Sequence, residues 1–165
     1  MNNKYIEATI LVVDDNKENL NVVGNILKDN GLKLAFAISG NDALEILETT
    51  HVDLILLDIM MPGMDGFETC RLIKDNRKLK SIPIIFLTAK TETDDIVTAF
   101  LSGGVDYITK PFRKEELICR VMTHLELKKA RELILKQTEE LREANRMILG
   151  AMHHFGKFIG NIEQH

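Results

Sequence analysis

Tryptophan is absent from these 165 residues, tyrosine occurs twice, and aromatics make up only 5%. A chain so poor in stacking surfaces, and without a dense basic patch, does not read as a nucleic-acid binder. Cysteine is as scarce. Cys70 and Cys119 stand far apart, with neither metal-type spacing nor a disulfide framework, so reduced intracellular thiols are the default. No apolar run approaches the ~18 residues of a membrane span, and no charged segment leads into an apolar stretch near Met1. The expected location is cytoplasmic. Proline occurs three times and never after Pro111, which leaves the last third of the chain without its strongest helix breaker.

What is present is enough apolar material for a core, at 45% hydrophobic residues. The net charge of −4 is uneven. Residues 1–112 carry 11 Lys/Arg against 17 Asp/Glu, whereas residues 113–165 carry 10 against 8.

Periodicity alternates along the first part. ILVV (10–13) is a strand, Asn16 a plausible N-cap, and Leu20, Val23 and Leu27 recur at helical spacing before Gly31 stops the helix. KLAFAI is a second strand, followed by a short helix from Ser39-Gly40 with Ala43, Leu44 and Leu47 on its apolar face. VDLILL (52–57) is continuously apolar, as in a strand covered on both sides. The loop DIMMPGMDG, a helix over FETCRLIKDN, the strand IPIIFL (82–87), a helix ending at Gly103-Gly104 and the strand DYIT complete the series. Five β-then-α units predict a doubly wound parallel sheet of the flavodoxin-like kind with flanking helices.

Four of these runs stop at reactive polar groups. ILVV stops at Asp14-Asp15, VDLILL at Asp58, IPIIFL at Thr88, and the last strand at Lys110-Pro111. Parallel strands bring all four to one sheet edge, where ligands bind in open α/β folds. Three carboxylates with one cation suggest a divalent metal handling phosphate. Asp15 and Asp58 could supply oxygens to Mg²⁺, with a loop carbonyl just after Asp58. Asp58 is also a candidate nucleophile, since a carboxylate can accept a phosphoryl group. Lys110 and Thr88 would contact phosphoryl oxygens.

The set Asp14-Asp15, Asp58 followed by MMPGMDG, Thr88-Ala89 and Lys110-Pro111 resembles the receiver domain of bacterial two-component response regulators, of the chemotaxis-regulator kind, over about residues 8–126. The resemblance implies that Asp58 is the phosphoacceptor for a sensor histidine kinase. Asp15, Asp58 and the Met60 carbonyl would hold Mg²⁺, with Asp14 assisting, in part through water. Thr88 and Tyr107 would be the switch residues, and Lys110-Pro111 would be cis. Met60 and Lys90 occupy positions where the resemblance places tuning of phosphoryl lifetime, and bulky Met60 is expected to hinder the attacking water. Two other readings are a metal-dependent phosphatase with Asp58 as nucleophile, and a constitutive scaffold. The first lacks the second acid such enzymes need, since Met60 stands two residues past Asp58. The second predicts a lost acceptor, metal pair or lysine, and all are present.

Beyond the receiver-like part (1–126), helical pattern runs from Lys114 to about Leu149. Leu127, Ile134, Leu141 and Ile148 fall at seven-residue spacing, with Ala130, Gln137, Ala144 and Ala151 beside them. Residues 127–151 therefore read as a coiled-coil extension that makes a homodimer, in which Glu126 would face Arg131 of the other chain; the alternative is a helix whose stripe packs on its own domain or on a missing neighbour. Residues 152–165 read as a tail of unassigned role. Its His153-His154 pair resembles a kinase histidine poorly, because Phe155 stands where an acid would follow. An output partner or output domain remains unnamed by the sequence.

Overall fold

The computed structural model describes residues 7–89 and 93–162, so Lys90 lies outside the described residues. Five strands alternate with five helices: β1 (Thr9–Val13), α1 (Lys17–Lys28), β2 (Lys33–Ala37), α2 (Gly40–Thr49), β3 (Leu54–Asp58), α3 (Gly66–Asp75), β4 (Ile84–Thr88), α4 (Thr93–Leu101), β5 (Asp106–Thr109) and α5 (Lys114–Ile162). All strand pairs are parallel, in the order β2-β1-β3-β4-β5. Chain order reverses beside β1: β2 lies on one side of it and β3 on the other. The crevice outside the carboxyl ends of β1 and β3 is therefore the topological switch point.

Strand alternation sorts the core into two layers. Leu11, Val13, Ile55, Leu57, Ile84 and Phe86 face the layer that contains Ala43 and Leu47 of α2, Cys70 and Ile73 of α3, and Ala99 of α4. Ile10, Val12, Leu54, Leu56, Ile85, Leu87 and Ile108 face Leu20, Val23 and Leu27 of α1 and Leu117, Val121 and Leu125 of α5. Both faces of β1, β3 and β4 are thus dry, which explains why their sequences run apolar without alternation. Helix ends follow local chemistry. Asn16, Ser39 and Asp65 cap α1, α2 and α3 with side-chain oxygens, and Gly31 takes the left-handed φ of +76° that ends α1.

Three boundaries that matter differ from the sequence reading. β3 and β4 begin two residues later than their apolar runs, at Leu54 and Ile84, because Asp53 turns to bind the Thr9 N–H and Pro83 lacks a donor. More consequentially, α5 does not stop near Leu149 but continues through Gly150, Gly156 and Gly160 to Ile162, across most of the stretch read as a separate tail. An interior glycine costs only about 1 kcal/mol relative to alanine, and no proline follows to stop propagation. Contacts divide the chain into two units, within 1–128 and 129–165. In the first, Lys128 pairs with Asp53 at 3.3 Å, and Arg120 and His124 both bind Asp106. The described part of the second, to Ile162, is a single helical segment, and the large apolar side chains described in it are exposed. No described helix is long and apolar enough to cross a membrane.

Leu56 is fully buried in the layer under α1 and α5, so Leu56→Ala should lower the unfolding free energy by about 2–5 kcal/mol. Leu101→Ala, at an exposed position, should change it by no more than about 0.5 kcal/mol. Urea titrations of the two variants measure the contrast.

Candidate functional site

Because the strands are parallel, Asp14-Asp15 after β1, Asp58 closing β3, Thr88 closing β4 and Lys110 after β5 all reach the carboxyl edge of the sheet. Asp14 is wholly buried, Asp58 is 4% exposed, and Asp15 faces solvent. One ligating oxygen from each of Asp14, Asp15 and Asp58 lies within 4.8 Å of the others. The Lys110 ammonium joins two of them, donating to Asp14 Oδ2 at 2.8 Å and standing 3.0 Å from Asp58 Oδ1. Its backbone N–H donates to the Thr88 carbonyl at 2.8 Å, which ties the ends of β4 and β5 together. The Lys110-Pro111 bond is cis, as the resemblance implied.

Asp14 is held from the start of α1. The Asn16 N–H donates to its Oδ1 at 2.8 Å, and Asn19 Nδ2 donates to its Oδ2 at 3.0 Å. With Lys110, that accounts for three of the roughly four acceptor positions on a carboxylate. Asp58 accepts from the Met60 N–H as well as from Lys110. Burial pushes the Asp58 carboxyl above its ordinary range, and the neighbouring Asp14 charge adds to this; Lys110 and the Met60 N–H pull down without cancelling it. Burial would lower Lys110, but its bonds to Asp14 and Asp58 outweigh that and raise it, so the ammonium stays charged.

Three carboxylates beside one ammonium leave negative charge uncompensated. The donor set is all oxygen and carries two ionisable groups with acceptor positions to spare, Asp15 and Asp58. That chemistry fits a hard divalent cation such as Mg²⁺.

Sequence reasoning missed three contributors. Asn16 was read as a cap, which it is, accepting from the Glu18 N–H; its own N–H also orients Asp14. Asn19 gave no signal except a polar side chain one turn into the helix that follows the acids. Gly66 reads in the sequence as the last residue of the loop DIMMPGMDG. A Cβ there would strike the Asp58 carbonyl oxygen and the Ile59 backbone, so α3 begins in direct contact with the strand end that carries Asp58.

Thr88 is 4% exposed at the end of β4. Tyr107 is half-buried on β5, in register with Phe86; its ring meets Phe100 edge-on at 6.5 Å and lies 5.9 Å from the Arg120 guanidinium. Met60 is 63% exposed, two residues past the buried strand end.

The response regulator receiver domain model matches residues 10–122, the stretch that contains every one of these groups. The chain belongs to the response regulator receiver domain family. It is 40% identical over 116 residues to Protein PilG of Pseudomonas aeruginosa, covering 70% of this chain and 86% of PilG. It is also 41% identical over 135 residues to a probable cyclic di-GMP phosphodiesterase of Vibrio cholerae, covering 82% of this chain but 30% of that protein. The chain spans about half the length of several other curated relatives. A putative response regulator from Chloroflexus aurantiacus superposes with a TM-score of 0.71 at 31% identity, over 73% of this chain and 98% of that one. This receiver is a two-component signalling domain.

The raised Asp58 carboxyl makes a stability prediction. An acid whose folded pKa lies above its unfolded value, about 3.9, keeps a proton longer in the native state. Stability then falls as pH rises through the window between the two values. Asp58→Asn should therefore raise the melting temperature at pH 7, with the gain shrinking to nothing below about pH 4. Melting curves across that range check the sign; a gain that grows in acid would contradict it.

Proposed function

We propose that Asp58 of this receiver accepts a phosphoryl group from the phosphohistidine of a sensor histidine kinase, in a site that uses Mg²⁺. The observation that supports it most is the Lys110 ammonium bridging buried Asp14 and Asp58 at the switch point, with Asp15 within reach. A carboxylate oxygen of Asp58 attacks phosphorus, the phosphorus–nitrogen bond breaks, and its electron pair leaves with the imidazole. No general base is required, because the attacking carboxylate needs only to be ionised.

Lys110 has three N–H donors, two of them engaged by Asp14 and Asp58. A third can meet an oxygen of the transferred group, and the Thr88 hydroxyl at the adjoining strand end would meet another. Asp15 and Asp58 would hold the cation directly, with the Met60 carbonyl as a further oxygen. Asp14 would assist mainly through water, since three bonds already occupy it. Bound there, Mg²⁺ would offset charge on the transferred group. Thr88 and Tyr107 would report the modification toward α4 and α5, with Tyr107 already placed between Phe100 and Arg120.

The cytoplasm is the compartment this reading requires. The extension would pair with a second copy through Leu127, Ile134, Leu141 and Ile148, which are 56–62% exposed. The receiver would occupy 1–126 and the pairing helix 127–151.

Incubation with Mg²⁺ and acetyl phosphate should add one phosphoryl group by mass, and Asp58→Asn should abolish the adduct. An adduct that survives Asp58→Asn, or none in wild type, would sink the reading. Bulky, exposed Met60 would hinder water beside the acceptor, so Met60→Asn should speed loss of the phosphoryl group; unchanged decay would remove Met60 from that role.

A further inference from the structure

The apolar surface of the helical segment changes width partway along. Over 127–146 the apolar or small rows are those of Leu127, Ile134 and Leu141 and of Ala130, Gln137 and Ala144. At 100° per residue the two rows sit about 60° apart, a narrow seam with Gln137 as its polar interruption. The rows on either side are mixed, with Arg131, Lys128 and Arg142 beside a single Leu135 on one flank, and Glu140 beside a single Leu133 on the other. Such a stripe is covered by one partner helix.

Over 147–160 the rows sort differently. Ile148 with Phe155, Met152 with Ile159, Ala151 with Phe158, and Leu149 with Gly156 form four adjacent rows, spanning about 160° of the wheel. His153, His154 and Lys157 all fall in the three remaining rows, and no carboxylate occurs between Glu143 and Glu163. Ile148, Leu149, Met152, Phe155, Phe158 and Ile159 are 42–66% exposed, so the described chain does not cover this face. One partner helix hides two rows. Four rows need neighbours on two sides, which is the geometry of a bundle.

We infer that residues 147–160 join two dimers of this chain into a tetramer, as the four helices of a bundle. This rests on the dimer reading for 127–151. A second pair of the same helices is the favoured occupant for two reasons. The Leu127–Phe155 row runs unbroken from the narrow seam into the broad face, so paired copies already hold two such faces side by side. The four facing rows carry no charge, so identical faces meet without like-charge repulsion, while Lys157 and the histidines stay outside.

Sedimentation equilibrium of the full chain tests it. The expected mass is four times that of the chain, falling to twice that mass in Met152→Glu/Ile159→Glu, whose row lies outside the narrow seam. Formation of the Asp58 adduct confirms that the variant's receiver is folded. A wild-type dimer overturns the tetramer and leaves the dimer reading standing, whatever else then covers the face. A wild-type monomer overturns both, and a tetramer that the double variant leaves intact places assembly elsewhere and overturns the inference.

Discussion

Crowding of carboxylates at a dry sheet edge is the constraint on which the rest of the receiver depends. Asp14 and Asp58 are buried within reach of each other, and Asp15 stands beside them. Buried like charges are tolerable only with a partner, and Lys110 is placed to serve both buried acids at once. That requirement propagates outward. The Lys110 backbone must lock onto Thr88, the first turn of α1 must supply Asn16 and Asn19 to Asp14, and α3 must begin on a residue without a side chain.

The compensation is incomplete, and uncompensated charge of this kind is what a hard cation would offset. Here the Asp58 carboxyl is still held above its usual range despite its bonds to Lys110 and the Met60 N–H. The folded state therefore carries a local electrostatic cost that a bound cation would relieve.

The helix that closes the fold has two different environments. Up to Lys128 its apolar positions, Leu117, Val121 and Leu125, are buried against the sheet, and its charges pair with Asp106 and Asp53. Beyond it, ion pairs run along the helix itself, between Lys136, Arg142 or Arg146 and Glu139 or Glu140, all exposed and each worth little. Tertiary packing stabilises the first part. The second has no such support within the described chain, which is why its exposed apolar rows bear on assembly.

Much of this was legible in the amino-acid order, for a definite reason. Strands dry on both faces read as continuous apolar runs, and the polar residue that ends each run marks the sheet edge. Asp14, Asp58, Thr88 and Lys110 could thus be grouped before any contact was seen. The length of α5 was misjudged, because glycines that usually end a helix are cheap when nothing forces a stop. Other features only the tertiary structure could decide. Gly66 looks like any loop glycine until the Asp58 carbonyl is placed against it, and Asn19 looks like any exposed polar residue until α1 is docked beside Asp14. Chain order by itself determined which groups stand at the edge of the sheet. Folding decided how closely they meet, since the spacing of Lys110 from two acids 96 and 52 residues away depends on strand register and helix docking.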